Sequence, residues 1–122
     1  MNTNAGREAL DDIRRNLELV VEFTKSMDRI EFEGDYKSQY AVIRALEIVG
    51  EATKRIPQEA RDGNPAIPWK AMAGMRDRLI HSYDNINVEI VWNTARDTAP
   101  KVLSRITDLI RSSNSDQSQT KD

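Results

Sequence analysis

Apolar residues recur at steps of three and four along most of this chain, and that spacing constrains the fold more than any other feature. It predicts a long amphipathic first helix from about Gly6 to Arg29. Its apolar face comprises Leu10, Ile13, Leu17, Val20, Val21, Thr24 and Met27. The stretch from Glu31 to Asp35 interrupts this pattern. A second helix is predicted from Asp35 to Arg55, because Pro57 removes a backbone donor and restricts the residue before it.

The second helix is expected to bury Tyr36, Tyr40, Ile43, Leu46, Val49 and Gly50. Residues 58 to 67 are predicted to form a loop rich in Gly and Pro, with room for one helical turn from 57 to 61. Pro68 suits the first position of a third helix, which runs through Ile80 and frays near Ser82. Asn87 is a candidate N-cap for a fourth helix from Val88 to about Arg111, and Pro100 predicts a kink in it.

These patterns indicate an all-α fold, an up-and-down four-helix bundle with an extra short helix as an option. Residues 1 to 111 form the predicted single domain, and the polar residues 112 to 122 are expected to be a disordered tail. At 122 residues, one domain should carry the whole function.

Charge and composition narrow the choice of function. Eighteen Lys and Arg against 20 Asp and Glu give a net charge of −2, so any phosphate-binding surface must be local. The chain has no cysteine, which excludes thiolate chemistry and suits a reducing compartment. The sequence shows neither a signal-peptide core nor an apolar run long enough to span a bilayer, and we therefore expect a cytoplasmic protein.

The only histidine, His81, lies in the polar segment Arg76 to Tyr83 and is the natural candidate for proton transfer near neutral pH. Asp77 precedes it by four residues, so on a helix its carboxylate can orient the imidazole; it can equally be a solvated helix residue. Arg76 precedes it by five, about 140° around a helix. Two-fold packing of two copies would allow the Arg76 and His81 side chains of both to converge in one cleft.

The arrangement of Arg76, four intervening residues and His81, with Asp77 after the arginine and Tyr83 completing His-x-Tyr, resembles the signature of HEPN-domain ribonucleases, specifically the HepT-like toxin family. The segments Pro68-Trp69 and Glu89 to Trp92 are similar as well, and the resemblance covers roughly residues 5 to 111. It implies a homodimer with a composite active site, with Arg76 and His81 as catalytic residues. It also implies a nucleotidyltransferase antitoxin of the MntA kind that modifies Tyr83 with AMP.

RNA carries its own nucleophile in the 2′-hydroxyl, so its cleavage needs a group that transfers protons and cations that stabilise the phosphate. His81 fits the first role and Arg76 the second, while Arg78 and Lys70 could extend the positive surface along the RNA. The spacing of acidic residues shows no metal-ligand cluster, which favours a metal-independent reaction without a cofactor. DNA, which lacks the hydroxyl, should be a poor substrate.

Other interpretations stay open at this point. The chain could be a non-catalytic partner of a nucleotidyltransferase, with Arg76 and His81 binding nucleotide phosphate. Arg78 is expected to form a surface pair with Asp77 or Asp84. Tyr83 could be an interface aromatic instead of a modification site. The residues expected to pack in the core or in a dimer interface, and not to stack on bases, are Trp69, Trp92, Met72 and Met75.

Overall fold

The computed structural model describes residues 4–79 and 86–120, with side chains described as far as residue 114. Their regular secondary structure is helical throughout, which confirms the all-α class. The helices are α1 (Asn4–Thr24), α2 (Arg29–Glu33), α3 (Tyr36–Lys54), α4 (Gln58–Asp62), α5 (Trp69–Ala73), α6 (Met75–Leu79), α7 (Val88–Asn93) and α8 (Ala99–Thr120), with a π-helical segment, Thr94–Thr98, joining α7 to α8.

The other two long helices, α3 and α8, run antiparallel to α1. Arg55, which ends α3, donates to Asp12 in the first half of α1 at 2.9 Å. At the opposite end of α1, the carbonyl of Thr24 accepts from Arg96, just before α8 begins. The shorter α5, α6 and α7 also pack on α3. The core consists of residues such as Ile13, Leu17, Phe32, Leu46, Met72, Leu79, Val91 and Ile106. The four-helix arrangement and the homodimer stay predictions.

The boundary between the first two predicted helices was wrong. Helix α1 ends at Thr24, and Glu31 to Glu33, expected to break the pattern, belong to α2. Asp28 begins that helix with a capping box: its side chain accepts from the backbone N–H of Glu31, whose carboxylate accepts in turn from the N–H of Asp28. The Asp-x-x-Glu spacing was the signal in the sequence, and it outweighs the continuous apolar periodicity.

The limits predicted for the second helix are confirmed by α3, but two of its predicted core residues are not. Asp35 caps the helix by accepting from the N–H of Ser38 at 3.2 Å. Tyr36 and Tyr40 are 73% and 65% exposed, not buried. Taking the buried Val42 as the centre of the core face, Tyr40 lies about 160° and Tyr36 about 120° around the helix from it. The buried positions Ile43, Leu46, Val49 and Gly50 are confirmed.

The third predicted helix is divided in two. Gly74 separates α5 from α6, and its N–H donates to the carbonyl of Lys70. Glycine favours such an interruption because it loses more backbone entropy in a helix than other residues. Pro68 precedes α5 as its N-cap instead of occupying its first position. The expected fraying near Ser82 lies outside the described residues.

The predicted fourth helix begins as expected, with the side chain of Asn87 accepting from the N–H of Ile90 at 3.1 Å. A π-helical segment, Thr94–Thr98, divides the predicted helix two residues before Pro100, and its wider turn can accommodate the missing donor and the proline ring. The kink predicted at Pro100 stays a prediction. Helix α8 continues past the predicted end at Arg111 to Thr120. The intervening sequence contains neither glycine nor proline, the residues that most strongly interrupt a helix. Helix α4 corresponds to the helical turn predicted at 57 to 61 in the loop before the third helix.

Candidate functional site

Helix α6 presents three consecutive charged side chains to solvent. Its first and last residues, Met75 and Leu79, are buried in the core. They are four residues apart, so they lie on the same, inner face of the helix. Arg76, Asp77 and Arg78 lie between these two anchors and are exposed. The short helix is therefore fixed by its apolar ends while its polar residues remain available to a ligand.

The guanidinium of Arg76 is held by one carboxylate from another helix. Its Nε donates to Oε2 of Glu47 at 3.2 Å, forming an ion pair between α6 and α3. The Arg76 side chain is 67% exposed and that of Glu47 only 24%, so the carboxylate belongs to the body of the domain and the guanidinium to its surface. Within the described residues the two Nη atoms form no hydrogen bond or ion pair. They can therefore meet a phosphate.

A close approach between α3 and α5 sets up this contact. A Cβ atom built on Gly50 would lie 3.3 Å from the carbonyl oxygen of Met72 and 3.5 Å from that of Ala73. Only a residue without a side chain allows the backbones to come so near without displacement. Gly50 follows Glu47 by about one helical turn, and Met72 and Ala73 lead directly into α6. The glycine thus brings Arg76 within reach of Glu47.

The other predicted site residues on α5 and α6 are not joined to this pair. Asp77 forms no hydrogen bond or ion pair with any described residue, and the expected pair between Arg78 and Asp77 is absent. The alternative partner of Arg78, Asp84, lies outside the described residues. Lys70 is exposed on α5, where it lines an open groove beside Trp69. Lys70 and Arg78 add positive charge to the same region of the chain as Arg76.

His81 and Tyr83 lie outside the described residues, so proton transfer and modification stay predictions. The residues on either side of their segment are nevertheless joined: the backbone N–H of Asn87 donates to the carbonyl of Leu79 at 3.1 Å. Asn87, the N-cap of α7, therefore lies beside the last residue of α6. The described residues that flank His81 and Tyr83 in the sequence thus meet at the end of the helix that carries Arg76.

The aromatic and sulfur-containing residues near the site belong to the core, as predicted. Trp69 and Met72 are buried, and the indole N–H of Trp69 donates to the carbonyl of Asn64 at 3.0 Å. Trp92 packs against Phe32 with ring centroids 5.3 Å apart. Residues 4–79 and 86–120 bring together no group of three or more His, Asp or Glu side chains that could hold a metal ion.

Sequence reasoning missed Glu47 and the role of Gly50. Glu47 is 29 residues from Arg76 and was indistinguishable from the other acidic residues on exposed helix faces. Gly50 was expected to be buried, but its contact with a carbonyl of α5 depends on how two helices pack. A single sequence contains no periodicity that would reveal either contact.

Comparison with known proteins identifies the family. The model of a family described as "Ribonuclease HepT-like" matches residues 13–109, which include α6 and the whole segment from Arg76 to Tyr83. This chain belongs to the HepT-like ribonuclease family. The resemblance inferred from Arg76, Asp77, His81 and Tyr83 is thereby confirmed.

Several individual proteins are similar to this chain over most of their length. A protein of Thermococcus cleftensis named "Probable ribonuclease HepT" is 45% identical over 96 residues, covering 79% of this chain and 87% of its own. "Putative RNase MJ0127" of Methanocaldococcus jannaschii is 42% identical over 105 residues, covering 86% and 87%. "Putative RNase TTE0752" of Caldanaerobacter subterraneus is 35% identical, covering 86% and 94%. No solved structure matches the chain. Ribonuclease activity is therefore the function indicated at the level of the HepT-like family.

Proposed function

We propose that this HepT-like chain is a metal-independent endoribonuclease and the toxin of a toxin–antitoxin system. Arg76 stabilises the phosphate, and His81 acts as general acid or base with Asp77 as its orienting carboxylate. The observation that carries the proposal is the exposed guanidinium of Arg76, which is held at Nε by Glu47 and has no partner at either Nη atom among the described residues, within the segment that the family model matches. Arg78 and Lys70 extend the phosphate-binding surface.

The reaction follows from the chemistry of RNA. The 2′-hydroxyl oxygen attacks the adjacent phosphorus and gives up its proton to a base, while the bond from phosphorus to the 5′-oxygen breaks and that oxygen gains a proton. The products are a 2′,3′-cyclic phosphate and a 5′-hydroxyl. Negative charge accumulates on the non-bridging oxygens during the attack, and the planar guanidinium of Arg76 can donate two parallel hydrogen bonds to them. No metal ion is required, because the substrate supplies the nucleophile.

The proposed enzyme is a homodimer with a composite cleft, since each chain has a single imidazole and the reaction transfers two protons. A surface suited to this contact lies beside the site. Tyr40 precedes Glu47 by seven residues, which places it two turns away on the same face of α3, and Tyr36 extends that face by one further turn. Exposed aromatic residues are enriched in protein interfaces, and Leu19 and Phe23 on the adjoining α1 are also partly exposed.

Regulation is proposed to occur at Tyr83. A nucleotidyltransferase antitoxin would bind the toxin, and the Tyr83 oxygen would attack the α-phosphorus of ATP, releasing pyrophosphate and the phenolic proton. The AMP group is bulky and anionic, so next to Arg76 and His81 it would occupy the phosphate site and neutralise its charge. We place the toxin and its antitoxin in the cytoplasm. In the described part of the chain no helix has both the length and the apolar character needed to cross a membrane.

The test is RNA cleavage by the purified full chain, free of antitoxin and with a chelator present. Arg76→Ala and His81→Ala should each abolish cleavage. Arg105→Ala is the matched control, because Arg105 is an exposed arginine of α8 without an ion pair in the described residues, and it should leave cleavage unchanged. Intact RNA with every version, including wild type, would instead favour a non-catalytic partner subunit of a nucleotidyltransferase.

A further inference from the structure

The contact between Arg76 and Glu47 leaves one particular face of the guanidinium free. An arginine presents five N–H donors in a planar fork, one at Nε and four at the two Nη atoms. Glu47 accepts from Nε at 3.2 Å, so it occupies the side of the fork next to the aliphatic stem. A phosphate can then be bound end-on by the two Nη atoms, which have no other partner among the described residues.

We propose that Glu47 is a positioning residue for Arg76, an inference that rests on the proposed ribonuclease function. It fixes the orientation of a long, exposed side chain before RNA arrives. Arginine loses considerable rotamer freedom when it is immobilised, and a carboxylate that holds it in advance removes part of that cost from substrate binding and from the transition state. Glu47 itself need not touch RNA.

The packing of α3 supports this assignment. Glu47 is mostly covered, whereas Arg76 is mostly exposed, so the carboxylate is the fixed partner. Gly50 keeps the two helices close enough for the contact, because its missing Cβ gives room to the carbonyl of Met72. Most other ion pairs of the described residues join side chains three or four apart on one helix, whereas this pair links two helices across 29 residues.

The opposite role makes the opposite prediction. If Glu47 acted as a mask that competes with phosphate for Arg76, then its removal would free the cation and improve RNA binding. If Glu47 positions Arg76, its removal lowers the rate. The effect of the acceptor's position can also be separated from the effect of its charge. Glu47→Gln keeps the length of the side chain and one oxygen acceptor but loses the negative charge. Glu47→Asp keeps the charge and shortens the reach.

The kinetic experiment compares both variants with wild type on an oligoribonucleotide, using the full chain. Glu47→Gln should retain kcat within a few-fold, whereas Glu47→Asp should lower kcat about ten- to a hundredfold with a smaller change in KM. Glu51→Gln and Glu51→Asp are the controls, because Glu51 is one turn further along α3 and, among the described residues, pairs only with Lys54 in the same helix. Full activity in Glu47→Asp, or higher activity in both variants, would overturn the proposal.

A second measurement does not depend on cleavage. In an NMR spectrum of arginine side chains, the Nε–Hε signal of Arg76 is assigned by its disappearance in Arg76→Lys. It should exchange slowly with water in wild type and Glu47→Gln, and rapidly in Glu47→Asp. Equal exchange in all three would overturn the positioning role. If wild type leaves RNA intact while the signal behaves as expected, the ribonuclease function fails and the positioning of Arg76 stands.

Discussion

Nε of Arg76 lies 3.2 Å from Oε2 of Glu47, and this contact joins the helix that carries the family motif to the central helix α3. It gives an exposed arginine a defined orientation in the described structure. A phosphate that reaches this surface meets a guanidinium already directed by the fold.

Arg76→Lys should lower RNA cleavage about a hundred- to a thousandfold although the positive charge is retained, because an ammonium group cannot donate two parallel bonds to phosphate. The measurement is the single-turnover rate of the full chain at saturating RNA. Arg105→Lys, on the exposed face of α8, is the control and should behave as wild type. A lysine variant with the wild-type rate would show that only charge matters at this position.

Gly50→Ala should destabilise the domain by about 1 to 3 kcal/mol, because the new Cβ would lie 3.3 Å from the carbonyl oxygen of Met72 and force α5 away from α3. Urea unfolding followed by circular dichroism gives the free energy of unfolding. Gly63→Ala serves as the comparison, since Gly63 has helical backbone angles and an ordinary 3.5 Å approach to the carbonyl of Glu59. Equal stability of the two variants would contradict the close packing at Gly50.

Tyr36→Ser combined with Tyr40→Ser should shift the proposed dimer toward monomer and leave the helix content unchanged, because both rings are largely exposed in the single chain. Light scattering coupled to size exclusion, at several protein concentrations, measures the mass. Lys37→Ser tests the neighbouring exposed position. If the double variant stays dimeric at every concentration, the two copies of the chain must contact each other through a surface other than that of Tyr36 and Tyr40.

The hydroxyl of Ser38 donates to Asp35 and lowers the pKa of that carboxyl below its ordinary value, and the backbone N–H of Ser38 adds to the effect. The resulting stabilisation is present above the pKa of the unfolded state and is lost as pH falls through the lower folded pKa. Ser38→Ala should raise the pKa of Asp35, measured by carboxyl-carbon NMR titration. Ser104→Ala, at an exposed position of α8, should leave it unchanged. An unaltered pKa in Ser38→Ala would refute the hydroxyl's role.

Much of the fold follows from local signals. The limits of α3 were readable from Asp35 and Pro57, and the start of α7 from Asn87, because caps and prolines act within a few residues. Periodicity failed where a local signal competed with it, as at the Asp28 capping box and at Gly74. Tyr40 is exposed because no other described element covers its face of α3, and the apolar periodicity of the sequence does not show which faces are covered.

The candidate site divides in the same way. Arg76 and its neighbours were found because the motif is contiguous in the sequence and lies within the family match. Glu47 was not, since its contact with Arg76 arises only when α3 and α6 pack together. Contacts between residues that are distant in the sequence can be recognised only from the tertiary structure.

The most direct test of the account is the cleavage of one oligoribonucleotide and of its analogue with a single 2′-deoxynucleotide at the cleaved position, both in chelator, with products analysed by mass spectrometry. We expect a 2′,3′-cyclic phosphate and a 5′-hydroxyl from the first and no cleavage at that position in the second. Cleavage of the deoxy analogue at the same bond would contradict attack by the 2′-hydroxyl and with it the proposed roles of Arg76 and His81.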